Sequence, residues 1–490
     1  MKKVLLLLTF ICFIQANEVE LIQAADNSSY IQKLTSLNKG VKRDFYINKY
    51  FEKNISPDEA LKALGLVDNL QNELFYNFAK SFKHDETLAV AQCMKMGIKE
   101  LINSYADCIV AGLSLDEASS LSSIDLDLVM QKTSEKYPLF AKKLKVISSS
   151  IPFTKLVVLR KDDFYDIFLN VNNDFRVKYF NYKLPKRTFS KIFTDKKRFD
   201  DFLQAVLSNS KLKNLNNSLL NTDDNELSFN SSFLLSLNAI RFNDLNKAFV
   251  YLNNAQKKVE NNLSKDKILF WKYLITKDKT FLDMLSNSLD LNLYSLYANE
   301  LLEKKLTDYN FLPRLKEFDD QLNDYDVDRV ALLYAIAKVK SNFDSNKISN
   351  DFEIGIMQLK NSLVNNIYTL FNENGNLSLN QFSVENSLKF ANIHLNNLSK
   401  FEDNIMDIFL AYEGKNELLN KINSDQFFSN KNVFEPFMSL ELISKDDKYL
   451  KNILMYKYLY QNYLSKKRKE KIKLSSIFEM LIEPDQKENE

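Results

Sequence analysis

Glycine and proline are almost missing from this chain of 490 residues, at 7 each. Ordinary proteins carry about 7% Gly and about 5% Pro. Sheet-rich folds with tight hairpins depend on both residues, so their scarcity argues against a β-sandwich or barrel. Histidine is scarcer still, with 2 in the chain. Neither His84 nor His394 has ligand-like neighbours, so no metal site and no cofactor are expected. An excess of either charge is also lacking. Lys plus Arg is 66 and Asp plus Glu is 64, which removes the electrostatic case for nucleic acid. The basic run Lys466-Lys-Arg-Lys469 reads as a solvated helix end. Beyond the N-terminus no stretch reaches the ~18 apolar residues of a membrane span, so no transmembrane segment is expected.

What remains abundant is Leu, Lys, Asn, Phe and Tyr. With so few breakers this composition predicts an all-α protein. The length exceeds what one compact core supports and calls for two or three domains. Met1-Lys-Lys-Val-Leu-Leu-Leu-Leu-Thr-Phe-Ile-Cys-Phe-Ile-Gln-Ala16 has the charged start, short apolar stretch and small final residue of a secretory signal. Export to the periplasm is therefore expected, with cleavage after Ala16. Phe10 and Ile11 stand where a lipidation signal around Cys12 would want small residues. Cys93 and Cys108 remain, both in helical-looking sequence. In an exported protein they either form a disulfide joining neighbouring helices or stay as two buried thiols.

From about residue 30 to 250, apolar residues recur at three- and four-residue spacing between polar, Asn-rich turns. Pro57-Asp-Glu-Ala-Leu-Lys-Ala-Leu and Asp244-Leu-Asn-Lys-Ala-Phe-Val-Tyr-Leu are typical. No strict period matches a named repeat. The pattern predicts an irregular α-solenoid in which each helix pair covers the next, with a loop over Asn214 to Glu226. Residues 251–322 continue in helices. Trp271, Tyr294 and Tyr297 lie at helical spacing in apolar runs and read as core. Further on, Asp326 or Asp328 can cap a new helix. On it Leu333, Ile336, Ala337 and Lys340 share one face. Lys340 closes an apolar stripe, where an ammonium must find a partner or reach water.

Ala331-Leu-Leu-Tyr-Ala-Ile-Ala-Lys-Val-Lys340-Ser-Asn-Phe343 resembles the A-I-A-R-Q-E-S-x-F helix of the soluble lytic transglycosylases, which cleave peptidoglycan glycan. Ser349 with Gly355-Ile-Met-Gln358 resembles that family's S-x(5)-G-L-M-Q element. Asn392-Ile-His394 stands where the family has a motif beginning Asn-Ile. Phe409-Leu-Ala-Tyr-Glu-Gly414 resembles A-Y-N-x-G. Phe434-Glu-Pro-Phe-Met-Ser-Leu-Glu441 with Tyr449-Leu-Lys-Asn-Ile-Leu454 resembles the closing helices.

After the signal over 1–16, the resemblance implies a helical superhelix over 17–250, a helical linker over 251–322 and a lysozyme-like domain over 323–490. It implies peptidoglycan as the ligand, another cell-wall enzyme as a possible partner, and Ser341, Met357, Gln358, Tyr412 and Glu441 along the sugar groove. In the family one Glu protonates the glycosidic oxygen. As carboxylate it then takes the proton from the muramic acid 6-hydroxyl, which closes onto C1 as a 1,6-anhydro sugar. Here Lys340 occupies the position of that Glu, and Glu413 the Asn of A-Y-N. Asp351-Phe352 replace a Gly-containing turn, Glu353 and Ile354 replace small residues before the Gly, and Asp447 stands where many members have Arg. Two arrangements of charge remain open. Lys340 and Glu413 form an ion pair that plugs the pocket, or Glu413 or Glu353 serves as a displaced acid. The expected function is peptidoglycan binding with impaired cleavage. The alternatives are an active enzyme with a relocated acid, and a non-enzymatic interaction scaffold.

Overall fold

The computed structural model describes residues 27–304, 311–322, 325–371, 379–400, 405–414, 437–438, 440–441, 448–465 and 474. The expected signal at Met1–Ala16, the basic run at Lys466–Lys469, the start of the Phe434 element and Asp447 lie outside these residues. The protein is all-α. Its strands among the described residues are Glu353–Ile354 and Leu359–Lys360, which pair with each other. Among the described residues no helix is long and apolar enough to cross a membrane.

Two compact units make up the chain. The first holds the described residues up to Ser114, with Asp127–Ala141 and Ile348–Glu353. Its helices start on local signals. Ser56 caps the Pro57–Leu64 helix, accepting from the Glu59 amide while Glu59 accepts from the Ser56 amide. Pro57 sits at the first helical position, where its missing N–H costs nothing. Cys93 and Cys108 are joined in this unit, with sulfurs 2.05 Å and Cα atoms 5.1 Å apart. Gly112 packs beside the bond; a Cβ on it would lie 2.4 Å from the Cys93 carbonyl oxygen.

The second unit holds Leu115–Leu126, Lys142–Lys347 and the described residues from Ile354 onward. Here a repeat emerges that the sequence hides. Lys191 Nζ donates to the Val157 carbonyl at 3.0 Å, 34 residues back. Arg241 reaches the Leu207 carbonyl and Lys258 the Asp224 carbonyl, each also 34 residues back. The Leu184 amide donates to Ser218 Oγ at 2.9 Å, again 34 residues apart. Val157 and Leu207 lie in the last turns of the Pro152–Val158 and Lys196–Leu207 helices. Their carbonyls have no partner within the helix, and a cation there also meets the negative end of the helix dipole. At Val157 and Leu207 a later segment thus fastens the end of an earlier helix, as in a stacked repeat.

The Asn-rich stretch expected to be a loop is partly helical, with a helix over Lys213–Ser218. Tertiary bonds override the local preference: Asn214 pairs with Asn181 through two bonds of 2.9 Å, and Asn216 donates to the Asn209 carbonyl at 3.0 Å.

The later part of the unit is built around the Val327–Lys340 helix. Asp326 is its cap, accepting from the Arg329 amide at 2.8 Å. Asp328 instead bonds Lys457 and Gln461 of the Lys448–Leu464 helix, which packs along it. Every residue from Ala331 to Ala337 is buried, so the helix is covered on all sides and not on one stripe. Burial of each Leu or Ile there contributes roughly 1.5–3 kcal/mol. Tyr334 stacks on Tyr460 at 4.8 Å and donates to Asp319 at 2.6 Å.

Candidate functional site

Lys340 ends the central helix. Its neighbour Ser341 turns the chain, donating from Oγ to the Ala337 carbonyl at 2.9 Å and the Ile356 carbonyl at 2.8 Å. The second bond ties the helix end to the segment that begins at Gly355. There φ is +76°, and an added Cβ would lie 2.0 Å from the Gln381 carbonyl oxygen. Only glycine tolerates both that conformation and that contact. Gln358 also has positive φ. Its amide donates to the Gly355 carbonyl at 2.6 Å and the Lys347 carbonyl at 2.9 Å, closing the turn on itself.

The structure brings Lys340 and Glu413 together. Lys340 Nζ lies 2.8 Å from Glu413 Oε1, with side-chain exposures of 5% and 14%. At that distance the two side chains form an ion pair that is largely out of water. Its weak screening makes it stronger than a surface pair. Tyr412 precedes Glu413 at the end of the Ile405–Tyr412 helix. Its hydroxyl donates to the Met357 carbonyl at 2.9 Å, and its ring lies 5.8 Å from Lys340 Nζ.

His394, weighed in the sequence only as a metal ligand and as part of the Asn-Ile motif, packs its ring 5.3 Å from that of Tyr412. Burial pushes its pKa down to about 4, so the imidazole is neutral near pH 7. The only trace of this in the sequence is its place in the Asn392-Ile-His394 run. Asn392 itself donates to the Tyr325 hydroxyl at 3.0 Å.

The five residues expected along a sugar groove, Ser341, Met357, Gln358, Tyr412 and Glu441, are all buried, none more than 6% exposed. Four of them hold the Gly355 turn and the helix end in place, as described. Glu441 is buried among side chains of its own unit. Its Oε1 accepts from Tyr294 at 2.6 Å and Trp271 at 3.2 Å, and its Oε2 meets Lys451 at 2.5 Å and Lys267 at 3.2 Å. Burial alone would raise this carboxyl, but the Lys267 and Lys451 ammoniums outweigh it and hold the pKa at about 2. The carboxylate is thus fully committed to protein donors, and Trp271 and Tyr294 are core residues. Glu353 belongs to the first unit, where its amide donates to Ser349 Oγ at 3.1 Å. Among the described residues no group of three or more His, Cys, Asp or Glu is placed to hold a metal.

Residues 320–434 match the family described as Transglycosylase SLT domain. No curated protein sequence matches the chain. Among solved structures it is similar to an inactive mutant of the lytic transglycosylase Slt from Pseudomonas aeruginosa, at 11% identity and a TM-score of 0.44, covering 92% of this chain and 87% of that one. It is also similar to the 70 kDa soluble lytic transglycosylase of Escherichia coli, at 12% identity and a TM-score of 0.34, covering 91% and 85%. A third, the complex of the 70-kDa soluble lytic transglycosylase with bulgecin A, gives 12% identity, a TM-score of 0.35 and coverage of 93% and 85%.

Proposed function

We propose that this chain is a periplasmic SLT-domain protein that binds peptidoglycan, or an enzyme working on it, and does not cleave the glycan. The observation that carries the reading is the 2.8 Å pair of Lys340 and Glu413 at the position where the family resemblance calls for an acid. Lytic cleavage asks one group to give a proton to the glycosidic oxygen and then to take one from the 6-hydroxyl. Such a group works best with a pKa near the operating pH. A lysine amine starts near 10.4. As an ammonium it also adds positive charge where oxocarbenium charge develops. General acid–base help is worth about 10²–10⁴-fold, and this reaction has little else to replace it.

Digestion of purified sacculi, with mass detection of anhydromuropeptides, tests the reading. The expected result is no anhydro product above a boiled control, together with retention of the protein on sacculi in a pull-down. A relocated acid would instead give anhydro products that vanish in Glu413→Ala or Glu353→Ala.

A second reading, an interaction scaffold that no longer holds glycan, is favoured by the burial of Ser341, Met357, Gln358, Tyr412 and Glu441. Absence of the protein from the sacculus pellet would select it.

A further inference from the structure

With those five residues buried, a glycan needs another surface to hold. The first unit offers one. A cleft of about 340 Å³ opens between the Asn72–Phe82 helix and the turn after the Asp85–Cys93 helix. That volume lies at the lower end of the range for small-ligand sites. Phe75 and Tyr76 supply its aromatic surface, Asn72, Asn77 and Glu73 its hydrogen-bonding groups, and Lys95 a cation.

Lys95 Nζ sits 3.4 Å from the Tyr76 ring centroid, and Lys80 Nζ 4.6 Å from the same ring. Among the described residues neither lysine forms an ion pair. A cation held only by an aromatic face at an exposed site is held weakly, and a carboxylate at hydrogen-bond distance competes well for it. The wall that carries Lys95 is fixed. Cys93, two residues earlier, is bonded to Cys108, and Gly112 closes on the Cys93 carbonyl. Lys95 is therefore presented from a braced turn, which lowers the ordering cost of binding.

We propose that this cleft binds an N-acetylated sugar bearing a carboxylate, with the aromatic residues against the sugar, the amides and Glu73 on its polar groups, and Lys95 on the carboxylate. The inference rests on the peptidoglycan-binding reading and assigns it a place on the chain. The test uses full-length, disulfide-intact protein and N-acetylmuramic acid, whose lactyl carboxylate is free, as the probe, measured by isothermal titration calorimetry, with the uncharged N-acetylglucosamine disaccharide as the comparison. Saturable binding of N-acetylmuramic acid is expected. Lys95→Met, at an exposed position where folding is not at stake, should raise Kd about tenfold, the usual worth of one charge-assisted hydrogen bond. Tyr76→Ala should weaken binding of both sugars.

Absence of saturable binding to the wild type, or wild-type affinity in both variants, overturns the proposal. Equal affinity for the uncharged disaccharide overturns the role of the carboxylate. Sacculus retention without N-acetylmuramic acid binding would sink the cleft and leave the broader reading standing. Probe binding without sacculus retention would do the reverse.

Discussion

Breaking the Lys340–Glu413 pair is the sharpest perturbation available in the second unit. Both groups are largely out of water and 2.8 Å apart. Removing one partner of such a pair strands the other charge, at a cost of about 3–5 kcal/mol for a fully buried pair. Glu413 keeps some exposure, so about 3 kcal/mol is expected for Lys340→Met, and a similar loss for Glu413→Gln. The double variant leaves no stranded charge. Its cost should fall about 2 kcal/mol or more short of the sum of the singles, a coupling characteristic of contacting residues. Trp271 is the one tryptophan and lies buried in the same unit, so its fluorescence during urea unfolding reports the relevant transition. The chain is too large to treat as two-state throughout, so midpoints of that transition are compared across the four proteins. Additive losses would refute the pair as an energetic unit. The same geometry bears on Lys340→Glu. A carboxylate introduced beside Glu413 meets like charge, so any regained cleavage should need the further change Glu413→Asn.

Gly355→Ala combines a φ of +76° with a Cβ 2.0 Å from the Gln381 carbonyl, so a loss of at least about 2 kcal/mol is expected, read as a lowered urea midpoint by Trp271 fluorescence; wild-type stability would contradict the turn geometry. Replacing Cys93 and Cys108 by Ala opens a loop of 15 residues and should cost about 3 kcal/mol. Limited proteolysis should place that loss in the first unit. Glu441 has a pKa of about 2 in the folded chain against an ordinary 4.5. Its contribution is therefore present above about pH 4.5 and is lost as pH falls from there toward 2. Glu441→Gln should flatten the acid limb of a stability-versus-pH curve in that window, and an unchanged limb would count against the charge cluster.

Much of the fold could be read without coordinates. Seven glycines and seven prolines in 490 residues leave little but helix, and the caps at Ser56, Asp244 and Asp326 stand where short polar side chains precede apolar periodicity. Lys340 was legible as a charge closing an apolar stripe. Its partner Glu413 lies 73 positions further on, beyond the reach of helical spacing, and came into view only through the family pattern of both segments.

Three things were not legible. The spacing of 34 is carried by bonds between side chains and backbone groups, which Lys, Arg and Ser satisfy alike, so no residue type repeats. The partners of Glu441 come from segments as far back as Lys267 and Trp271, and no local pattern signals a long-range charge cluster. Motif spacing also says nothing of depth. Met357 and Gln358 sit where a groove was expected, but the tight turn around Gly355 uses their own polar groups and buries them.

Purified full-length wild-type protein, incubated with sacculi and followed by mass detection of 1,6-anhydromuropeptides, addresses the central claim directly. An ammonium paired with Glu413 in place of a carboxylic acid predicts release no greater than that of a boiled control. Anhydro products accumulating in proportion to time and protein, and persisting in Lys340→Met, would contradict it.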